Sequence, residues 1–287
     1  MIRVVGGRGH RYVVDGDIKS YFDTIDHGNL MELVKRRISD RRILKLVRQW
    51  LKAGVMEEGS VRHPVLGSPQ GGVISPLLAN IYLNALDDIW ERRCQHLGRL
   101  VRYADDFVVL CRTQTQAEEA LRRLRIILDR LRLTLHPEKT RIVELGLGKG
   151  GFTFLGCHLR IVRSHFKRAT YLFRWPSPQA MSRIRARIRE LTDRRRWAGM
   201  RDVRDVIALL NPVLRGWGNY FRTGNASLKF QQIDRYVNGR LARLRYRGRR
   251  DRPRPFMHPD WPPARYAELG LHRLVGTIRY PKLVNAT

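Results

Sequence analysis

Arg99-Leu-Val-Arg-Tyr-Ala-Asp-Asp-Phe-Val-Val-Leu-Cys111 is the stretch that decides how this chain reads. Leu100-Val101 and Phe107-Val108-Val109 are the aliphatic and aromatic residues that suit strands, and Asp105-Asp106 lies between them. A hairpin with an acidic tip is expected. Aspartate is a favoured turn residue, so a bare Asp-Asp pair is most often a solvated turn. Two like charges about 4 Å apart nevertheless repel by about 4 kcal/mol at an effective dielectric of about 20. A divalent cation reverses the sign of that term. Mg²⁺ favours one or two carboxylates plus substrate phosphates, and a pair of such ions stabilises both oxygens of an in-line phosphoryl displacement. A third carboxylate at a neighbouring strand end completes such a site. Asp17, which follows Tyr12-Val13-Val14, is placed to supply it.

Outward from the hairpin, the pattern is mixed. Arg11–Ile18 reads as a short strand ending in acids. Asp26 is a good N-cap for a helix through Leu30, Leu33, Val34 and Ile38, and a second helix spans roughly Arg41 to Leu51. Leu66-Gly-Ser-Pro-Gln-Gly-Gly72 is a glycine-rich loop leading into a long apolar helix, with Ser75-Pro76 as its cap and first turn. After the hairpin, an amphipathic helix is expected over roughly Gln116–Leu133. Strands are expected over Thr140–Leu145 and Phe152–Leu159, joined by a hairpin connection at Gly146–Gly151. That connection lacks the Gly-Lys-Ser/Thr ending of a phosphate-binding loop. From about Pro176 the pattern turns helical, over Ser182–Leu191, Val203–Leu214 and Leu228–Leu244. The fold class is therefore α+β, followed by an all-α region.

The 287 residues favour two domains, and 43% hydrophobic content is enough for real cores. The formal charge is +30. It divides unevenly, +8 over residues 1–150 and +22 over residues 151–287. Such an excess repels itself in a compact chain, and a polyanion such as nucleic acid relieves it. No apolar run is long enough to span a bilayer and no signal peptide is legible, so no membrane partner is expected. Cys94, Cys111 and Cys157 stand far apart with no Cys-x-x-Cys pair, so neither a disulfide framework nor a zinc ribbon is indicated and a reduced, cytoplasmic setting is expected.

Tyr103-Ala-Asp-Asp106 with its apolar flanks resembles the active-site hairpin of reverse transcriptases. Four further blocks follow that family's order. Val14-Asp-Gly-Asp-Ile-Lys-Ser-Tyr-Phe-Asp-Thr-Ile-Asp-His27 resembles its first palm motif. Gly67-Ser-Pro-Gln-Gly-Gly-Val-Ile-Ser-Pro-Leu-Leu-Ala-Asn-Ile-Tyr-Leu83 resembles the next, and His136-Pro-Glu-Lys-Thr140 and Phe154-Leu-Gly156 complete the set. The wording is most similar to the group II intron-encoded reverse transcriptases, or maturases. Leu210-Asn-Pro-Val-Leu-Arg-Gly-Trp-Gly-Asn-Tyr-Phe-Arg222, Ile233–Leu241 and Gly276-Thr-Ile-Arg-Tyr-Pro281 resemble their thumb, or maturase, domain. The resemblance implies a palm of antiparallel sheet with packed helices over residues 1–160. It also implies a helical thumb/maturase region over 176–250 and an irregular basic tail over 251–287.

By the same resemblance, Asp17, Asp105 and Asp106 bind two Mg²⁺ ions, with the Ile18 carbonyl as a further ligand. Phe22 stands where the family places a gate against the ribose 2′-OH, although core packing explains a phenylalanine there equally. Gln70 matches the position that contacts the incoming nucleotide. Lys139 lies near the site or is a solvated lysine. Phe154, Leu155 and Gly156 resemble the primer grip. Arg215 and Arg222 interleave with Trp217, Tyr220 and Phe221, cations for phosphates beside rings that stack or fill a core. Arg240, Arg243 and Arg247 belong to an acid-free basic run. The partners implied are intron RNA, an RNA template with a DNA primer, and deoxynucleoside triphosphates. The family's fingers region precedes its palm, whereas the first palm strand here follows Met1 closely, so a chain without fingers is expected. A metal-dependent nuclease is not expected. Two functions follow: an RNA-directed DNA polymerase with maturase activity, or a catalytically inactive RNA-binding splicing factor or truncated retroelement remnant.

Overall fold

The computed structural model describes residues 9–52, 55–57, 60–62, 74–163, 170–193, 195, 197, 202–245 and 263–280. In chain order the elements are β1 (Tyr12–Gly16), α1 (Tyr21–Thr24), α2 (His27–Lys35), α3 (Arg41–Lys52), β2 (Val55–Glu57), β3 (Ser60–Arg62), α4 (Ser75–Arg93), β4 (Arg99–Tyr103) and β5 (Asp106–Cys111). Next come α5 (Gln114–Arg130), β6 (Arg141–Glu144), β7 (Phe152–Phe154), β8 (Cys157–Arg163), β9 (Thr170–Pro176), α6 (Pro178–Leu191), α7 (Val203–Phe221), α8 (Ser227–Arg245) and α9 (Pro263–Glu268). They form two compact units. One holds Met1–Phe154 and Arg160–Leu172, the other Leu155–Leu159 and Phe173–Thr287.

The first unit is built on an antiparallel sheet of order β4-β5-β1-β6. Side chains alternate across it. Val14, Phe107, Val109 and Cys111 face a helical layer that contributes Leu30, Val34, Leu78, Tyr82, Leu86, Trp90, Leu124 and Leu128. Trp90 and Tyr82 are almost wholly enclosed and still satisfy their polar atoms, Nε1 donating to the Gly98 carbonyl (3.0 Å) and the hydroxyl to the Leu131 carbonyl (2.6 Å). Each such side chain contributes about 2–3 kcal/mol of burial. Helix starts follow capping chemistry. Asp26 accepts the Asn29 N–H (2.8 Å), and Thr113 with Gln116 forms a reciprocal capping box. The cap of α4 is Ile74 rather than Ser75, so Ser75-Pro76 occupies the first turn itself.

Two strand readings need correction. Phe152–Leu159 is not one strand: β7 and β8 are joined by a two-residue turn at Leu155-Gly156, both with positive φ (47° and 69°). The apolar pattern runs through the turn, and Leu155 gives none of the asparagine or aspartate signal such turns normally carry. Gly146–Gly151 is not a hairpin connection either, because β6 pairs with β1 while β7 belongs to the sheet of order β7-β8-β9.

In the second unit α6, α7 and α8 bury Met181, Ile184, Ile188, Val206, Leu210, Leu214, Phe230, Ile233 and Val237. The segment expected to be an irregular tail is partly ordered. Residues 263–268 form α9, and Tyr266, Leu271 and Leu274 are buried. Its turns are held by side chains from the long helices. Asn211 donates to the Gly270 carbonyl and accepts from the His272 N–H, while Asp234 accepts the N–H groups of Leu274 (3.1 Å) and Val275 (3.0 Å). Proline-rich composition hid this, because the anchors lie some forty to sixty residues earlier. Asp234→Ala strands both donors and is expected to cost about 1.5–3 kcal/mol, measured by urea unfolding.

Candidate active site

Pairing register assembles the carboxylates. Gly16 faces Phe107 and Asp15 faces Val108, so the register continued by one residue sets Asp17 against Asp106. On the other side of β5, Tyr103 pairs with Asp106, leaving Ala104 and Asp105 as a two-residue turn. Alternation then places Asp15, Asp17 and Asp106 on one sheet face, opposite the face on which Phe107 meets the helices.

Each acid has its own surroundings. The Asp17 carboxylate pairs with the Lys139 ammonium at 3.0 Å, an exposed contact that contributes about 1 kcal/mol or less. The Asp17 carbonyl accepts the His136 N–H (2.8 Å), and the Lys19 N–H donates to the Thr134 carbonyl (2.9 Å). These bonds flank the Ile18–Leu135 bridge, so the amide and carbonyl of Ile18 itself point away from Leu135. Partial loss of hydration pushes the Asp106 carboxyl above its usual range. The charges of Asp105 and Asp17 add to that, and Lys139 opposes it. Asp15 is likewise raised, first by burial and then by Asp106 and Asp17, although Arg141 pairs with it at 3.5 Å.

The result is a concentrated negative field at one end of the sheet, with oxygen donors only. That donor set suits a hard cation such as Mg²⁺. The carboxylates do not form a closed cage: among the described residues no three His, Cys, Asp or Glu side chains are gathered tightly enough to hold a metal ion.

Phe22 is half-buried, packs against the core of the first unit, and touches the Tyr21 ring (5.4 Å between centroids). Tyr21 points inward, its hydroxyl donating to the Ala79 carbonyl. Gln70 lies outside the described residues. Phe154 is buried in the first unit, whereas Leu155 and Gly156 form the turn described above, in the second. The Tyr220 hydroxyl donates to the Leu155 carbonyl (2.9 Å) and the Gly156 carbonyl accepts the Ser177 N–H (2.8 Å).

The basic residues separate by environment. Arg215 and Arg243 are exposed on α7 and α8. Arg222 caps the end of α7 through its backbone, and its side chain is half-buried. Arg240 is engaged within the fold: its guanidinium donates to Thr192 Oγ1 (2.8 Å), the Thr192 carbonyl (2.8 Å) and the Arg189 carbonyl (3.3 Å), closing the C-terminus of α6. A contact with RNA would have to compete with those bonds. Arg247 lies outside the described residues. Trp217 packs against Phe221 and Phe230 (centroids 4.9 and 5.5 Å), which makes it a core aromatic of the helical unit.

Sequence reasoning overlooked Asp15 with Arg141, and Arg102 with Asp87. Asp15 was accessible through period-two alternation from Asp17. The Arg102–Asp87 pair joins a strand to a helix fifteen residues earlier and leaves no local signal.

The family described as reverse transcriptase (RNA-dependent DNA polymerase) matches residues 5–159, and the group II intron maturase-specific domain matches residues 181–258. "Protein YkfC" of Escherichia coli is 38% identical over 189 residues, 54% of this chain and 49% of that protein. "Uncharacterized 91 kDa protein in cob intron" of Schizosaccharomyces pombe is 28% identical over 288 residues, 75% of this chain and 35% of that protein. "Group II intron-encoded protein LtrA" of Lactococcus lactis is 48% identical over 79 residues, 28% of this chain and 13% of that protein. The chain thus spans half or less of the length of these relatives. No described helix is long and apolar enough to cross a membrane. With a matched region covering more than half its length and the carboxylates aligned on one sheet end, the chain belongs to the reverse transcriptase (RNA-dependent DNA polymerase) family and carries a group II intron maturase-specific domain.

Proposed function

We propose that the chain carries out RNA-directed DNA synthesis of the group II intron type, with its second half binding intron RNA during splicing. The observation that carries this reading is the register of β1 on β5, which, continued by one residue, sets Asp17 opposite Asp106, beside Asp105 at the turn. In this reading Asp17, Asp105 and Asp106 hold two Mg²⁺ ions, with the Ile18 carbonyl as a further oxygen donor. Those ions, when bound, stabilise the attacking and leaving oxygens of nucleotidyl transfer. The protein's own part is positioning and charge compensation, which make up most of phosphoryl-transfer catalysis. Lys139 offsets the charge of Asp17 and would supply a cation for the phosphates of the deoxynucleoside triphosphate. Phe22, backed by the core, bars a ribose 2′-OH from the nucleotide site, and Gln70 contacts the base-paired nucleotide. Leu155-Gly156, tied down by Tyr220, steadies the DNA primer end. Arg215 and Arg243 meet phosphates of the RNA.

The test is primer extension on an RNA template with a DNA primer, deoxynucleoside triphosphates and Mg²⁺, comparing the chain with Asp105→Ala. Extension that Asp105→Ala abolishes is the expected result. Extension unchanged by that substitution sinks the assignment. Absence of extension together with intron RNA binding that weakens steeply with salt, at about 0.7–0.9 log units per phosphate contact, favours an RNA-binding protein without polymerase activity instead.

A further inference from the structure

Arg102 lies on the helix-facing side of β4, directly opposite Phe107, and thus beneath the sheet end that carries the acids. Its side chain is only 11% exposed. All three guanidinium nitrogens donate hydrogen bonds. Nε donates to Asp87 Oδ1 (2.9 Å) and Oδ2 (3.1 Å), and Nη2 donates to Asp87 Oδ2. Nη1 donates to Asn80 Oδ1 (3.2 Å) and to the Ala104 carbonyl (2.8 Å). Asn80 and Asp87 are two turns apart on one face of α4, so the contacts tie that helix to the hairpin tip.

The tip needs such a tie. Ala104 has φ 53°, in the left-handed region that an alanine rarely adopts. The next two residues are Asp105 and Asp106, two adjacent carboxylates of like charge that repel one another at the tip. Strain and repulsion both favour opening of this turn. The bond from Nη1 to the Ala104 carbonyl opposes them, and the planar fork on Asp87 keeps that nitrogen aimed.

We propose that Arg102 is a positioning residue: anchored by Asp87 and Asn80, it holds the Ala104–Asp105 turn closed and so sets the spacing of Asp105 and Asp106 relative to Asp17. The clamp itself stands on geometry. Its purpose, keeping the carboxylates ready for a divalent cation, rests on the function proposed above.

Two measurements on the full chain separate these layers. Amide hydrogen exchange across residues 99–111 tests the clamp without metal. Arg102→Lys keeps a cation but loses the fork, and is expected to speed exchange at the turn about tenfold, the scale of one charge-assisted hydrogen bond, while α5 exchanges as before. In an Ala104→Gly background, where the left-handed turn is unstrained, the acceleration is expected to shrink severalfold. Equal acceleration in both backgrounds, or none, overturns the clamp. Mn²⁺ binding followed by electron paramagnetic resonance tests its purpose. Arg102→Lys is expected to weaken Mn²⁺ affinity about tenfold in the same background-dependent way. Mn²⁺ affinity that Arg102→Lys leaves unchanged overturns the assigned role of the clamp. Binding that Asp106→Asn also leaves unchanged overturns the metal reading, with the exchange data still deciding the clamp.

Discussion

Asp106→Asn is expected to lower primer extension by about 10³-fold or more while leaving the folded protein as stable as before, or more so. The size follows from removing one group on which transition-state charge is stabilised. The stability follows from the electrostatics of the neighbouring acids. Asp106 is held above the usual carboxylate range by lost hydration and by Asp105 and Asp17, so its charged form is a burden on the fold. Asparagine keeps the shape and removes the charge. An inactive protein with a raised or unchanged melting temperature is the signature of a residue kept for chemistry at some cost in stability. Single-turnover extension and thermal unfolding of the same preparation check both halves. A variant that loses activity only in proportion to a lowered melting temperature would mean that Asp106 serves the fold.

Gly16→Val is expected to be the most damaging change outside the acids. The Phe107 ring lies where a Cβ on Gly16 would sit, and it is itself 1% exposed within the core, so it has little room to swing aside. Overpacking of this kind costs about 1–3 kcal/mol. The functional loss should be larger than that cost implies, because β1 can relieve the clash only by moving off β5, and Asp17 is the next residue along. A displacement near 1 Å at a positioned group lowers rates by about 100-fold. Adding Phe107→Leu to Gly16→Val vacates part of the ring's volume and is expected to restore much of the extension rate. No recovery, with both variants folded by circular dichroism, would show that Gly16 matters for some reason other than its fit against Phe107.

The first unit was largely legible because its signals are local. β4 and β5 are short apolar runs around a turn, Asp26 caps a helix next to it in sequence, and α5 carries its own apolar stripe. The acids at the sheet end could be named from the sequence for the same reason, since strand ends and alternation are short-range facts. What escaped was long-range. The turn at Leu155-Gly156 interrupts a run that looks continuous, and its backbone is tied by Tyr220 from sixty-five residues away. The inward commitment of Arg240 could not be read from an arginine-rich helix, because nothing in the run distinguishes the guanidinium that closes α6 from that of Arg243, which is exposed. Acid-free basic runs read as a single binding surface in sequence. In the fold, part of that charge is structural.

The docking of residues 263–280 also bears on how the protein is made. Leu274 lies over Gly218, whose missing Cβ leaves the room it needs, and Asn211 and Asp234 wait for backbone groups of residues 270–275. A ribosome releases α7 and α8 well before those residues, at about 5–20 residues per second. The first unit can therefore close its core while translation continues. The helical unit keeps an open apolar notch for some seconds more. During that interval the emerging helices expose a hydrophobic gap at Gly218 that residues 270–275 later cover.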